Sequence, residues 1–196
     1  MRPFASQLHR IILILSTMWL GWLAMTLLHE LGHVIGALCT GGVVRRVVWH
    51  PLVMSRTDVD PNPHMLVETW AGPILGCVLP IVLASVCTLV RQRCAYLAWT
   101  IAGFCLIANG CYLGVGTVDP VGDARVLVTH GAPRWTLVLF GIAALLAGGF
   151  IWHRCSGRFG FGSASHAIEP QHAWWTASLS LIATLLGLLF GTNDIP

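Results

Sequence analysis

Residues 11–38 carry only three ionisable side chains, His29, Glu30 and His33. An apolar stretch of this length can cross a bilayer as one tilted helix, and a helix places residues four apart on the same face. The imidazoles of His29-Glu30-Leu31-Gly32-His33 therefore stand one turn apart and can share one metal ion. Glu30, next to the first of them, can touch a water on that metal. Ionisable groups in lipid surroundings are costly and point to function.

Four more apolar stretches follow, at about residues 65–90, 95–115, 136–152 and 174–190. Only 10% of the chain is charged and 56% is hydrophobic, where a soluble domain carries about a quarter charged residues. We expect an all-α polytopic membrane protein of about five transmembrane helices, one integral domain over residues 1–196 with no soluble module. The lipid bilayer is then its first partner. The net charge of +3 comes with no dense basic run, so a nucleic-acid partner is not expected. Every Lys-or-Arg position is Arg. The seven Cys form no CxxC pair, and Cys77, Cys87, Cys105 and Cys111 fall inside apolar runs, as small packing residues do. Arg2 and Arg10 precede the first run, which continues into the motif without a small-residue cleavage site, so an uncleaved first span is expected.

Taken in order, Thr40-Gly41-Gly42 should end the first helix. The β-branched content of residues 43–49 and 50–54 suggests two short strands, a hairpin at the membrane surface. Residues 55–64, with Pro61 and Pro63, read as a loop. The second span holds Glu68, Ala71-Gly72-Pro73 and Pro80, and Pro73 should loosen it at the depth of the motif. The pairs Gly32/Gly36, Gly72/Gly76 and Gly110/Gly114 allow close helix approach, which suggests a tight three-helix core over residues 11–130. Residues 136–190 would then be accessory.

A catalytic zinc takes three protein ligands and keeps a position for water. His29 lies roughly 27 Å along the first helix from Ile11, so the motif sits near the far face of the bilayer, here called side X. Alternate crossings bring Glu68, Asp119, Asp123, His50, His64 and His130 to side X, and leave His9, His153, His166 and His172 on side Y. Asp123 is preferred, because Gly122 lets the backbone approach and residues 124–127 can restart a helix that aims it. Spacing alone leaves Asp119 as the alternative. Arg is divided almost evenly between the two sides, so the positive-inside rule does not choose an orientation.

With these residues in view, the chain resembles the site-2 protease family of intramembrane zinc metalloproteases, in its small bacterial branch. The resemblance rests on His29-Glu30-Leu31-Gly32-His33 followed by Thr40-Gly41-Gly42, on Ala71-Gly72-Pro73, and on Pro120-Val121-Gly122-Asp123, and covers about residues 20–130. It implies that His29, His33 and Asp123 bind Zn2+ and that Glu30 is the catalytic base. By the same comparison Asn109, Gly72 and Pro73 contact a membrane-embedded protein or peptide substrate. The implied location is the bacterial inner membrane, with side X towards the cytoplasm. The chain departs from the family pattern at Gly76, where the family often has Asn, and at Ala124, which follows Asp123. Two activities are therefore expected as alternatives: proteolysis within the membrane, or zinc binding by a non-proteolytic protein that holds or chaperones partners in the same groove. A small transporter is a weaker third, since the five spans show no repeat symmetry.

Overall fold

A computed structural model describes residues 2–161 and 167–194. The described residues form α1 (Arg2–Thr40), β1 (Val44–Val48), β2 (Arg56–Val59), α2 (Met65–Leu89), α3 (Ala95–Val115), α4 (Gly122–Thr129), α5 (Arg134–Cys155), a 3-10 turn (Ser156–Phe159), α6 (Pro170–Phe190) and β3 (Thr192–Asp194). Five of the helices are long and apolar enough to cross a membrane, the mark of a multi-pass membrane protein. Residues 162–166, within the loop expected between the last two spans and including His166, lie outside the described residues.

The apolar run does not set the limits of α1. The helix begins at Arg2, with Pro3 in its first turn, where a missing N–H costs nothing. At 39 residues it is about 58 Å long, well beyond the roughly 30 Å of bilayer hydrocarbon. Its outward face near the motif is Leu27, Leu31, Ile35 and Leu38, all exposed, while His29, Glu30 and His33 are buried on the inner face. Nor does Pro73 interrupt α2, which runs unbroken through Pro73 and Pro80.

Helix contacts use small residues and hydroxyls, as expected where lipid supplies no hydrophobic drive. A Cβ added to Gly32 would stand 2.7 Å from Gly72 Cα, and one on Gly36 would stand 3.0 Å from Glu68 Cα. The α1–α2 contact thus depends on glycine. Gly110 and Gly114 do not join that contact. They face Gly141 on α5, and Gly103 faces Gly148 and Trp152 on the same helix. α5, expected as an accessory, is therefore seated on α3 through glycine pairs and through Trp152 Nε1, which donates to Thr100 O at 2.9 Å. α6 is tied to the first half of α1 by hydroxyls: Ser16 and Thr176 at 2.6 Å, and Ser180 donating to Ser16 O at 2.9 Å.

The sheet differs from the expected hairpin. β1 is its central strand, antiparallel to β2 with Val48 opposite Arg56, and antiparallel to β3 with Val48 opposite Thr192. The second strand therefore falls within the expected loop, and residues 50–54 form the connection. Pro51 has no N–H for a ladder, and the turn holds itself: Leu52 N–H donates to His50 Nδ1 at 3.3 Å, and Val53 N–H to His50 O at 3.3 Å. The sheet is fastened to α1 by Trp49, whose Nε1 donates to Leu23 O at 3.2 Å and Thr26 Oγ1 at 3.1 Å.

Candidate metal centre

His29 and His33 point from α1 towards the first turn of α4. Their Nε2 atoms are 3.1 Å apart. Asp123 Oδ2 lies 2.9 Å from His29 Nε2 and 3.3 Å from His33 Nε2. Atoms bound tetrahedrally at about 2.0–2.1 Å from an ion stand about 3.3 Å from each other, so these spacings suit one small cation. His29, His33 and Asp123 are the cluster of metal-capable residues found among the described residues.

The partners of the two imidazoles decide what the cluster can be. His29 Nδ1–H donates to Asn109 Oδ1 at 2.7 Å, and Asn109 is oriented by its own amide, which donates to Cys105 O at 2.9 Å. His33 Nδ1–H faces Glu68 Oε1 at 2.9 Å and Glu68 O at 3.2 Å. With Nδ1 the donor on both rings, each Nε2 presents a lone pair to the other and to a carboxylate. Three acceptors facing one another in a buried place repel unless a cation joins them, and imidazoles backed in this way by an amide and a carboxylate are typical metal ligands.

Local sequence explains how each group arrives. Gly72 lies flat against His33: a Cβ there would be 2.5 Å from its Cε1. Gly122 has φ +50°, a conformation glycine adopts at no steric cost, and a Cβ there would collide with the Tyr112 hydroxyl. That hydroxyl accepts the Asp123 N–H at 3.0 Å, so α3 holds the start of α4 in place. Asp123 is not the cap of α4, which is Val121.

Glu30 is buried beside the cluster. Its Oε2 accepts from Thr57 Oγ1 at 2.7 Å, so β2 fixes one carboxylate oxygen and leaves Oε1 without a protein partner among the described residues. These groups line a groove of about 1490 Å³ between α1, the sheet, α3 and the α4 start.

Sequence reasoning and structure part company at several positions. Asn109, expected to contact substrate, is fully buried, spends its amide on His29 and Cys105, and is not part of the groove lining. Gly72, which packs against His33 of α1, and Pro73 are likewise buried and absent from that lining. Their place is behind the site, because close helix packing consumed the surfaces they would have offered. Glu68, one of the side-X ligand candidates, stands behind His33 and accepts from Asn62 Nδ2 and Thr69 Oγ1, each at 3.2 Å. Asp119 lines the groove but is exposed and outside the cluster, as are His64 and His130. Thr57 and Tyr112 carried no signal in the sequence, since a lone Thr and a lone Tyr in apolar or mixed segments match no spacing rule.

No protein-family model, curated protein or solved structure matches the chain.

Proposed function

We propose that the protein is an intramembrane zinc metalloprotease that hydrolyses peptide bonds of membrane-embedded substrates. The observation that carries this reading is the convergence of His29 Nε2, His33 Nε2 and Asp123 Oδ2, with both Nδ1 positions already committed, beside a buried Glu30. Zinc suits two imidazoles and a carboxylate. When bound, it supplies Lewis acidity that lowers the pKa of a water to about 7.

Glu30 Oε1 is the atom free to take the proton of the attacking water, while Thr57 keeps Oε2 in place. The C–O bond forms as that proton leaves the water, and the same carboxyl then hands the proton to the amine nitrogen as the C–N bond breaks. A helical substrate has its carbonyls hydrogen-bonded and must become extended first. The outer edge of β2 has no strand partner among the described residues and borders the groove, so it can offer backbone hydrogen bonds to an added strand. The resemblance supports a bacterial inner-membrane location.

One observation favours the non-proteolytic alternative. The space beside Gly76 is filled by Asn109, whose Nδ2 would be 3.0 Å from a Cβ there, so neither position gives the groove a side-chain amide for substrate. Replacing Glu30 by Gln separates the two readings. Proteolysis predicts retained zinc with cleavage of a membrane reporter reduced about 10³-fold or more, whereas undiminished cellular function in that variant would favour the alternative.

A further inference from the structure

The charge of the groove identifies the kind of segment it receives, an inference that rests on the groove being the substrate site. The chain has eight Asp and Glu residues and eleven Arg. Six of the acids, Glu30, Asp58, Asp60, Glu68, Asp119 and Asp123, line the groove, and among the described residues Arg56 is the single Arg that does. Membrane depth does not explain this sorting. Arg45 and Arg125 lie on the same side, but each turns to a backbone carbonyl, Asp60 O at 2.7 Å and Pro120 O at 3.0 Å.

With a divalent cation at the cluster and both imidazoles neutral, these groups still leave three net negative charges in the groove. Arg56 is paired with Asp58 at 3.4 Å. Asp60 and Asp119, both exposed, have no cationic partner among the described residues. The opposite end of the groove is apolar, with Trp19, Trp22 and Met25 on α1 and Leu52 and Met54 on the turn before β2. Trp19 precedes His29 by ten residues, about 15 Å deeper along the helix. An occupant must therefore change from apolar to cationic along its length, passing the metal cluster on the way.

We infer that the groove binds a transmembrane segment whose side-X flank is rich in Arg or Lys. The apolar part lies against Trp19, Trp22 and Met25, and the basic flank meets Asp60 and Asp119. Such charge complementarity selects partners and fixes register more than it adds affinity.

Binding can be tested apart from cleavage. The full chain carrying Glu30→Gln is placed in vesicles of net-neutral phosphatidylcholine, together with a fluorescent segment bearing one apolar span and a flank of three Arg, three Gln or three Glu. The Arg flank should bind about fivefold or more tighter than the Gln flank, and the Glu flank weakest, with the preference fading at high salt. Asp60→Asn with Asp119→Asn should remove most of the Arg preference and leave Gln-flank binding unchanged. Asp60→Lys with Asp119→Lys should shift the preference to the Glu flank, which a merely damaged fold would not produce. Equal binding of all three flanks, or an Arg preference that survives both double variants, overturns the inference. If the Arg flank is preferred but the protein without substitutions never cleaves it, the protease reading fails and the inference stands.

Discussion

The two halves of α1 use polar groups in opposite ways. In the first half, Ser16, Thr176 and Ser180 satisfy one another or nearby carbonyls, and Trp19 Nε1 donates to Thr184 Oγ1 at 2.7 Å. Each of these donors has an acceptor, while the buried Thr17 Oγ1 on the same half finds none among the described residues, and the result is a seam between helices. In the second half, the donors of His29 and His33 are spent outward on Asn109 and Glu68, so their lone pairs face inward towards Asp123. One helix thus carries polar residues that close a contact and polar residues that leave an unsatisfied centre. What separates a structural from a functional polar cluster in a membrane is whether its acceptors find donors within the cluster.

Several substitutions can break or sharpen that contrast. Glu68→Ala leaves His33 Nδ1 with a backbone carbonyl alone, and metal affinity should fall about 10–100-fold, read by competition with a chelator. An unchanged affinity would mean that the carboxylate behind His33 is only structural. Gly72→Ala should displace the His33 ring or part α1 from α2, costing about 1–3 kcal/mol, measured by denaturation in detergent with and without metal. Because the clash is with an imidazole, metal retention should suffer along with stability. Gly76→Ala crowds Asn109 rather than a ligand itself, so its effect on metal affinity should be only a few-fold, under about 1 kcal/mol. Thr176→Val, in the satisfied seam, should cost about 0.6 kcal/mol of stability and leave metal binding untouched. A metal effect from Thr176→Val comparable to that of Glu68→Ala would erase the distinction between the two halves.

Much of this arrangement is legible in the sequence, and the reasons differ by element. Helix α3 can be read at its observed limits, residues 95–115, because loop residues bound its apolar run on both sides. The ends of α1 and α5 cannot, since helical hydrogen bonding continues past the last apolar residue into polar sequence. β2 is hidden because Arg56-Thr57-Asp58-Val59 is mostly polar, and its pairing partner, not its composition, makes it a strand. The His29–His33 face follows from helical periodicity alone. Asn109 and Glu68 are visible as polar residues in apolar spans, but their partners depend on how α2 and α3 turn against α1, which local pattern does not encode. The same limit accounts for Gly110 and Gly114 packing on α5 rather than in the first three helices.

The most direct test is the metal content of the purified full-length protein, alone and as Asp123→Ala and Asp119→Ala. Convergence of His29, His33 and Asp123 on one cation predicts about one zinc per chain in the unaltered protein and in Asp119→Ala, and strong loss in Asp123→Ala. Full zinc in Asp123→Ala, or loss in Asp119→Ala instead, would contradict the account.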